Sequence, residues 1–186
     1  KLFVSANNLV GTKSTRFSIV RYGNVLGSRG SVVPLFRDLI EKGKKKLPIT
    51  DVNMTRFIIT LEHSVNFVLD TLTQSSGGEI FVAKIPSIKI TDLVESLLTK
   101  KAYEIVGIRP GEKLHEIMIP QEESRNCIEM KDKYIITPQL SWWDRKDLDK
   151  KIKEIGKKVP ANFEYTSDKN DNWLDAIKLK KILEKI

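Results

Sequence analysis

Phe17-Ser18-Ile19-Val20-Arg21-Tyr22 runs directly into Gly23-Asn24-Val25-Leu26-Gly27-Ser28-Arg29-Gly30-Ser31-Val32-Val33-Pro34, and this stretch decides the fold. The first six residues are rich in β-branched and aromatic side chains and predict a short buried strand. Residues 24–31 then carry two glycines, two serines and an arginine. Such a loop lets the backbone approach a ligand closely and offers N–H and hydroxyl donors. Pro34 opens a predicted helix over Leu35–Lys42, at an early helical position where its missing N–H costs little. Strand, ligand-competent loop and helix in that order is the unit from which α/β proteins are built.

Downstream the alternation continues. Ile58-Ile59-Thr60 leads into a second helix capped by Thr60. Its Val65, Val68, Leu69 and Leu72 fall at i, i+3, i+4 and i+7, so they are expected to form the buried stripe. Gly77-Gly78 turns the chain into the strand Glu79-Ile80-Phe81-Val82-Ala83. Thr91 is the expected cap of a third helix, with Asp92 in its first turn and Leu93, Val94, Leu97 and Leu98 on its buried side. Beyond Tyr103 come an expected short strand at Ile105–Ile108, a turn at Arg109-Pro110-Gly111-Glu112, a helical stretch from Leu114 to Met118 and a strand at Tyr134–Thr137. A last helix carries Leu179, Ile182, Leu183 and Ile186 on one stripe. No repeat or low-complexity linker marks a domain boundary.

At the other end, Lys1–Val10 reads as the middle of a helix, without an N-cap or turn before it, and a turn follows at Gly11 to Ser14. With no initiating methionine, an N-terminal truncation is expected. The strands Phe17–Tyr22 and Glu79–Ala83 are then expected to lack sheet neighbours, leaving edges that invite aggregation.

Composition sets the outer limits. At 186 residues, 40% hydrophobic and 30% charged, the chain can bury one sizeable core. No apolar run approaches the roughly 18–20 residues of a membrane span, and nothing resembles a signal peptide, so a cytoplasmic protein without a membrane partner is expected. Cys127 is the sole cysteine, which excludes an internal disulfide and a cysteine-cluster metal site. The net charge of +8 is dispersed. Lys42, Lys44, Lys45 and Lys46 form one cluster. Lys150, Lys151, Lys153, Lys157, Lys158, Lys178, Lys180, Lys181 and Lys185 lie among acidic residues, as on solvated helix faces. No zinc-finger spacing or aromatic RNA-binding signature accompanies them, and no nucleic-acid partner is expected. His63 and His115 have no second histidine or cysteine nearby and are expected to be neither catalytic bases nor metal ligands.

Three segments taken in order resemble one family. Arg21 to Pro34 is similar to the strand and loop that follow the catalytic helix in nucleotide-sugar dehydratases and epimerases of the extended short-chain dehydrogenase/reductase family. Met54-Thr55-Arg56-Phe57-Ile58-Ile59-Thr60-Leu61 and Gly107-Ile108-Arg109-Pro110-Gly111-Glu112-Lys113-Leu114-His115-Glu116 narrow the resemblance to the UDP-N-acetylglucosamine 4,6-dehydratases. Pro48-Ile49-Thr50-Asp51 and Gly77-Gly78-Glu79-Ile80-Phe81-Val82 extend it over nearly the whole chain. Pro-Ile-Thr-Asp, Met-Thr-Arg-Phe and Lys84-Ile85-Pro86-Ser87 resemble the inverting subgroup more than the retaining one.

The resemblance implies an α/β fold comprising the C-terminal portion of a Rossmann-type doubly wound parallel sheet and a smaller mixed α/β substrate-binding domain. Residues 1–33 would be the tail of the dinucleotide-binding domain and 34–186 the substrate-binding region, with 61–100 returning a strand and helix to the Rossmann sheet. The activity implied is NADP-dependent conversion of UDP-N-acetylglucosamine to a 4-keto-6-deoxy sugar with inversion at C5, for surface-polysaccharide or flagellin glycosylation (pseudaminic acid). A homo-oligomer is implied for the full-length enzyme. Val25, Leu26, Gly27, Ser28 and Arg29 would lie along the nicotinamide end of NADP. Asn24, Val32 and Thr50 would contact the substrate, and Arg109 would meet its pyrophosphate, where a planar guanidinium pairs bidentately with phosphate oxygens. No metal is implied.

Other readings stay open on the residues alone. A Gly-Ser-Arg-Gly loop is more often only a turn, and Arg-Pro-Gly-Glu is a still more ordinary one. Arg56 and Glu112 read equally as an ion pair, as surface charges or as substrate contacts. The glycine-rich dinucleotide fingerprint, the family's Tyr-x-x-x-Lys pair and its acid/base residues are absent from the sequence. No catalytic residue is therefore expected here, and the chain alone is expected to be inactive. Lys1 would fall a few residues after that pair on the same helix. The alternatives are a UDP-sugar 4-epimerase of the same superfamily and a non-catalytic sugar-nucleotide-binding module.

Overall fold

The computed structural model describes residues 2–11, 14–98, 101–138 and 156–186. The helix start at Lys1, the middle of the Gly11–Ser14 turn and the lysines at 150, 151 and 153 lie outside the described residues. The chain divides into two units, one of Lys1–Tyr22, Val65–Lys84 and Met118–Tyr165, the other of Gly23–Ser64, Ile85–Ile117 and Thr166–Ile186.

The first unit is organised by Ile80–Ala83, whose four residues are all buried. An apolar run without alternation is what a strand covered on both faces requires. It pairs in parallel with Ile19–Arg21 and antiparallel with Lys133–Ile136, which continues the sheet to Cys127–Glu129 and Lys157–Lys158. The expectation that Glu79–Ala83 lacks neighbours is thus corrected, because residues far along the same chain supply its second partner. Just before this strand Glu79 is buried, and its carboxylate accepts from Ser18 Oγ at 2.9 Å and the Ser76 amide at 3.0 Å. Those bonds offset the cost of taking a carboxylate out of water. Asn7, also buried, donates to the Val4 and Phe17 carbonyls and accepts from the Phe17 amide, tying the N-terminal helix Leu2–Ala6 to the chain entering the sheet. Cys127 is fully buried, and its thiol pKa is pushed up to about 12, first by burial and then by Glu123 and Glu129.

Helix Leu61–Gln74 begins where expected, with Thr60 Oγ1 accepting from the His63 amide at 3.2 Å. Its faces are reversed. Val65, Val68, Leu69 and Leu72 are exposed, whereas Ser64, Phe67 and Thr71 are buried. The Ser64 and Thr71 hydroxyls donate to the Leu61 and Val68 carbonyls of their own helix, at 2.7 and 2.9 Å. Small polar residues that satisfy themselves in this way can occupy a buried face at little cost.

In the second unit Thr55–Ile59 pairs in parallel with Asn24–Val25 and antiparallel with Ser87–Lys89, and Leu47–Ile49 pairs in parallel with Tyr103–Ile105. Helices Val32–Glu41, Ile90–Leu97 and Ala176–Leu183 complete it. Phe36, Leu47, Ile49, Met54, Ile58, Ile88, Leu93, Leu179 and Leu183 form its core. Asp175 caps the last helix by accepting from the Lys178 amide at 2.8 Å, while Ile186 is exposed.

Three further expectations are revised in this unit. Thr91 is not a cap: the chain leaves strand Ser87–Lys89 in extended geometry at Lys89, and Ile90 is already helical. Pairing of the Tyr103–Ile105 strand extends only to the Val106 amide, because Gly107 turns to φ +85°. Residues 114–118 are not helical. Leu114 O accepts from the Thr55 amide, Glu116 O accepts from the Ser167 amide, and the Glu116 amide donates to Ser167 Oγ, so groups that a helix would use internally serve neighbouring segments. Ile117–Ile119 is extended instead. Among the described residues no helix is long and apolar enough to cross a membrane.

The exposed Val65, Val68, Leu69 and Leu72 stripe should promote association. Leu69→Glu combined with Leu72→Lys should raise the protein concentration at which light scattering begins to climb. An unchanged onset would show that this face is not the adhesive one.

Candidate functional site

A cleft of about 300 Å³ opens in the second unit, with Phe36, Ile49, Met54, Ile58, Ile88 and Leu93 as its apolar wall. The polar side is assembled from short segments distant in sequence: Asn24, Gly30 and Ser31, Thr50, Arg56 and Glu112. An apolar wall with a few convergent polar groups is the usual form of a small-molecule site.

Gly23 explains how the first segment reaches the cleft. A side chain there would collide with the Phe57 backbone and its Cβ, the latter at 2.6 Å, so the glycine lets the 24–25 strand lie close against Thr55–Ile59. The following loop is held by Leu26 N to Ile59 O at 2.9 Å, Ser28 N to Val25 O at 3.2 Å and Ser31 N to Ser28 O at 3.1 Å. Gly27 and Gly30 take φ of +75° and +73° to make these turns. Ser31 is the cap position of helix Val32–Glu41, yet its hydroxyl makes no capping bond and is buried without a protein partner. An orphaned hydroxyl of this kind at a cleft wall is unusual in a finished structure and suits a ligand's polar group.

Across the cleft, Thr50 Oγ1 donates to Glu112 at 3.2 Å. Arg56 donates to the Thr55 and Leu114 carbonyls at 2.7 and 3.1 Å. Its guanidinium lies 3.8 Å from Glu112 and 3.5 Å from Glu116. With only 13% of its side chain exposed, Arg56 is fixed in direction. Of the readings of Arg56 and Glu112, the ion pair is present, and both residues line the cleft.

Of the residues singled out from sequence, Asn24, Val25, Leu26, Val32 and Thr50 come together along this cleft. Gly27, Ser28 and Arg29 occupy the adjoining turn and do not line it, and Ser28 and Arg29 are exposed. Arg109 is exposed in the turn closed by Glu112 N to Arg109 O at 3.0 Å. It reaches the lining through Glu112, whose carboxylate accepts weakly from the Arg109 amide at 3.4 Å. Gly30 and Ser31 belong to the loop whose glycines and hydroxyls the sequence marks, but neither stands out individually, because serine and glycine in a turn have ordinary conformational uses. Arg56 carried a signal, a charged side chain within the otherwise uncharged run Thr55-Arg56-Phe57-Ile58-Ile59. His63 is exposed, and His115 Nδ1 lies 2.8 Å from Thr55 Oγ1, away from this cleft.

An α/β scaffold with a cleft offering hydroxyl, carboxylate and guanidinium groups over an apolar wall is suited to a polyhydroxylated, charged ligand. Residues 1–138 match the family model described as polysaccharide biosynthesis protein, and the chain belongs to that family. It is 52% identical over 186 residues to the inverting UDP-N-acetylglucosamine 4,6-dehydratase of Campylobacter jejuni subsp. jejuni serotype O:2, matching 98% of this chain and 55% of the relative. It is 35% identical over 189 residues to UDP-glucose 4-epimerase of Rickettsia rickettsii, with 98% and 53% matched. The X-ray structure of Pen from Bacillus thuringiensis superposes with a TM-score of 0.80 at 31% identity, covering 100% of this chain and 54% of that one. The fold is accordingly of the Rossmann type. The chain spans about half the length of the curated relatives it matches.

Gly23→Ala should destabilise the protein by about 1–3 kcal/mol, the range for forcing extra atoms into a packed site. The added methyl must push strand Thr55–Ile59 away from the cleft-lining loop. Urea unfolding measures the loss, and a midpoint equal to that of the parent protein would contradict this close approach.

Proposed function

We propose that this chain forms the nucleotide-sugar side of an NADP-dependent UDP-N-acetylglucosamine 4,6-dehydratase that inverts C5. The convergence of Asn24, Val32, Thr50, Arg56 and Glu112 on one cleft carries the reading, and the 52% identical Campylobacter jejuni relative of that name supports it. Glu112 and Thr50 would engage sugar or ribose hydroxyls. Arg56 and Arg109 would face the pyrophosphate from opposite ends of Glu112. The product would be a 4-keto-6-deoxy sugar nucleotide, formed with loss of water, for surface-polysaccharide or flagellin glycosylation. The complete enzyme would be a cytoplasmic homo-oligomer.

The 24–31 loop is compatible with NADP. Ser31 offers a buried hydroxyl without a protein partner, and a side chain at Gly30 would meet no atom within 4 Å, so a ligand has both a polar contact and room. Val25, Leu26, Gly27, Ser28 and Arg29 would hold the nicotinamide end. Bound there, the cofactor would supply a hydride acceptor and donor. Residues 1–33 would then belong with a dinucleotide-binding domain and residues 34–186 would serve the substrate, with 61–100 returning a strand and helix to the Rossmann sheet. The second reading, a UDP-sugar 4-epimerase, is favoured by the 35% identical Rickettsia rickettsii relative.

The assay that separates these readings uses UDP-N-acetylglucosamine and NADP. The 186-residue chain should yield no 4-keto product, since it lacks the glycine fingerprint and the Tyr-x-x-x-Lys pair. A protein of the relatives' full length containing this chain should release a 4-keto-6-deoxy sugar. Product from the chain alone would refute the division of labour, and a 4-epimer retaining its 6-hydroxyl would refute the dehydratase.

Arg109→Ala in that full-length protein should weaken UDP binding by about 1.5–3 kcal/mol, the range for hydrogen bonds to charged groups, while NADP binding stays nearly unchanged. Arg109→Lys should restore only part of it, because lysine lacks the planar fork. Calorimetry showing equal UDP affinity in parent and Arg109→Ala would rule out the pyrophosphate role.

A further inference from the structure

A second cleft, of about 770 Å³, also lies in the second unit, lined chiefly by Asn53, Lys89, Asp92, His115, Asp168 and Trp173. Among the described residues it shares none of its lining with the first. Strand alternation separates the two. Arg56 and Ile58 on one strand and Met54 just before it, with Ile88 on the neighbouring strand and Ile90 just beyond, line the first cleft. Thr55 and Lys89, paired in register, face the second.

The second cleft is well braced. Trp173 forms a parallel bridge with Ser87, flanked by Ser87 N to Asn172 O at 2.8 Å and Leu174 N to Ser87 O at 3.0 Å. Its indole N–H donates to the Asn170 carbonyl, so the half-buried ring presents only apolar surface to a ligand. His115 is anchored through Nδ1 to Thr55 Oγ1 at 2.8 Å, and Thr55 in turn to Ser167 Oγ at 2.6 Å. The other imidazole nitrogen remains for a ligand. Asp175 caps the adjacent helix.

The chemistry excludes some occupants. Among the described residues no three His, Cys, Asp or Glu side chains are grouped to hold a metal ion. Asp92, Asp168 and Asp175 outnumber Lys89, so phosphates and other anions are repelled. The remaining groups suit one class. Carboxylates accept strong bonds from neutral hydroxyls, Asn53 and Lys89 donate, and the indole plate takes an apolar C–H face. Burial raises the Asp92 pKa. At Asp168, burial also opposes ionisation, but the Thr166 hydroxyl, its own amide, His115 and Lys169 outweigh it and keep that carboxyl below the usual range.

We propose that this cleft binds an uncharged saccharide, at a site separate from the nucleotide-sugar cleft. The proposal does not depend on the dehydratase reading. It is tested on the 186-residue chain by following the Trp173 indole N–H resonance and binding heats during titration with N,N′-diacetylchitobiose, maltose, UDP and spermidine. A saturable millimolar shift with at least one of the two saccharides, and none with UDP, is expected. Trp173→Phe, which keeps the plate, should retain the calorimetric affinity. Trp173→Ala and Asp92→Asn should each weaken it by about tenfold, the loss expected for one contact to a charged or aromatic group. Circular dichroism keeps misfolded variants out of the comparison, and Asp92→Asn leaves the Trp173 anchor intact. Silence with both saccharides, unchanged affinity in Asp92→Asn, or a Trp173 shift produced by spermidine or UDP and by neither saccharide would overturn the assignment.

Discussion

The ladder made by Thr55–Ile59 is the constraint on which the second unit depends. It is a short strand paired on both edges, with Asn24–Val25 on one side and Ser87–Lys89 on the other. Because successive side chains point to opposite faces, the same five residues furnish Arg56 and Ile58 to one cleft and Thr55 to the other. Phe57, fully buried, takes Gly23 against its backbone. A change of register by one residue would exchange the two surfaces and leave Arg56, with its two carbonyl bonds and two carboxylate neighbours, pointing at the wrong cleft.

Much of this could be read before any coordinates were known. The strand, glycine loop and helix around residues 17–41 follow from β-branched residues, positive-φ glycines and an early proline. Five of the nine residues chosen from sequence along that loop and beyond do line one cleft. The legible features are local, each decided by residues within a few positions of one another.

The illegible features depend on partners far along the chain. The pattern of Val65, Val68, Leu69 and Leu72 correctly marks a helix but not which side is buried, since Ser64 and Thr71 hide by bonding to their own carbonyls. Residues 114–118 have a helical pattern, yet Thr55 and Ser167 claim their backbone groups from 59 and 51 positions away. Lys133–Ile136 joins Ile80–Ala83 across a comparable interval. The second cleft gathers its lining from around residues 53, 90, 115, 168 and 174, with no motif in any of them.

Cys127 has a practical implication. With no solvent exposure and a thiol that ionises only near pH 12, its sulfur is not a nucleophile at any pH the folded chain would ordinarily meet. No second cysteine exists to pair with it. The folded chain should therefore resist thiol oxidation. It needs no reductant for storage, forms no disulfide-linked dimers in air, and can accept a cysteine engineered elsewhere as a uniquely reactive attachment point.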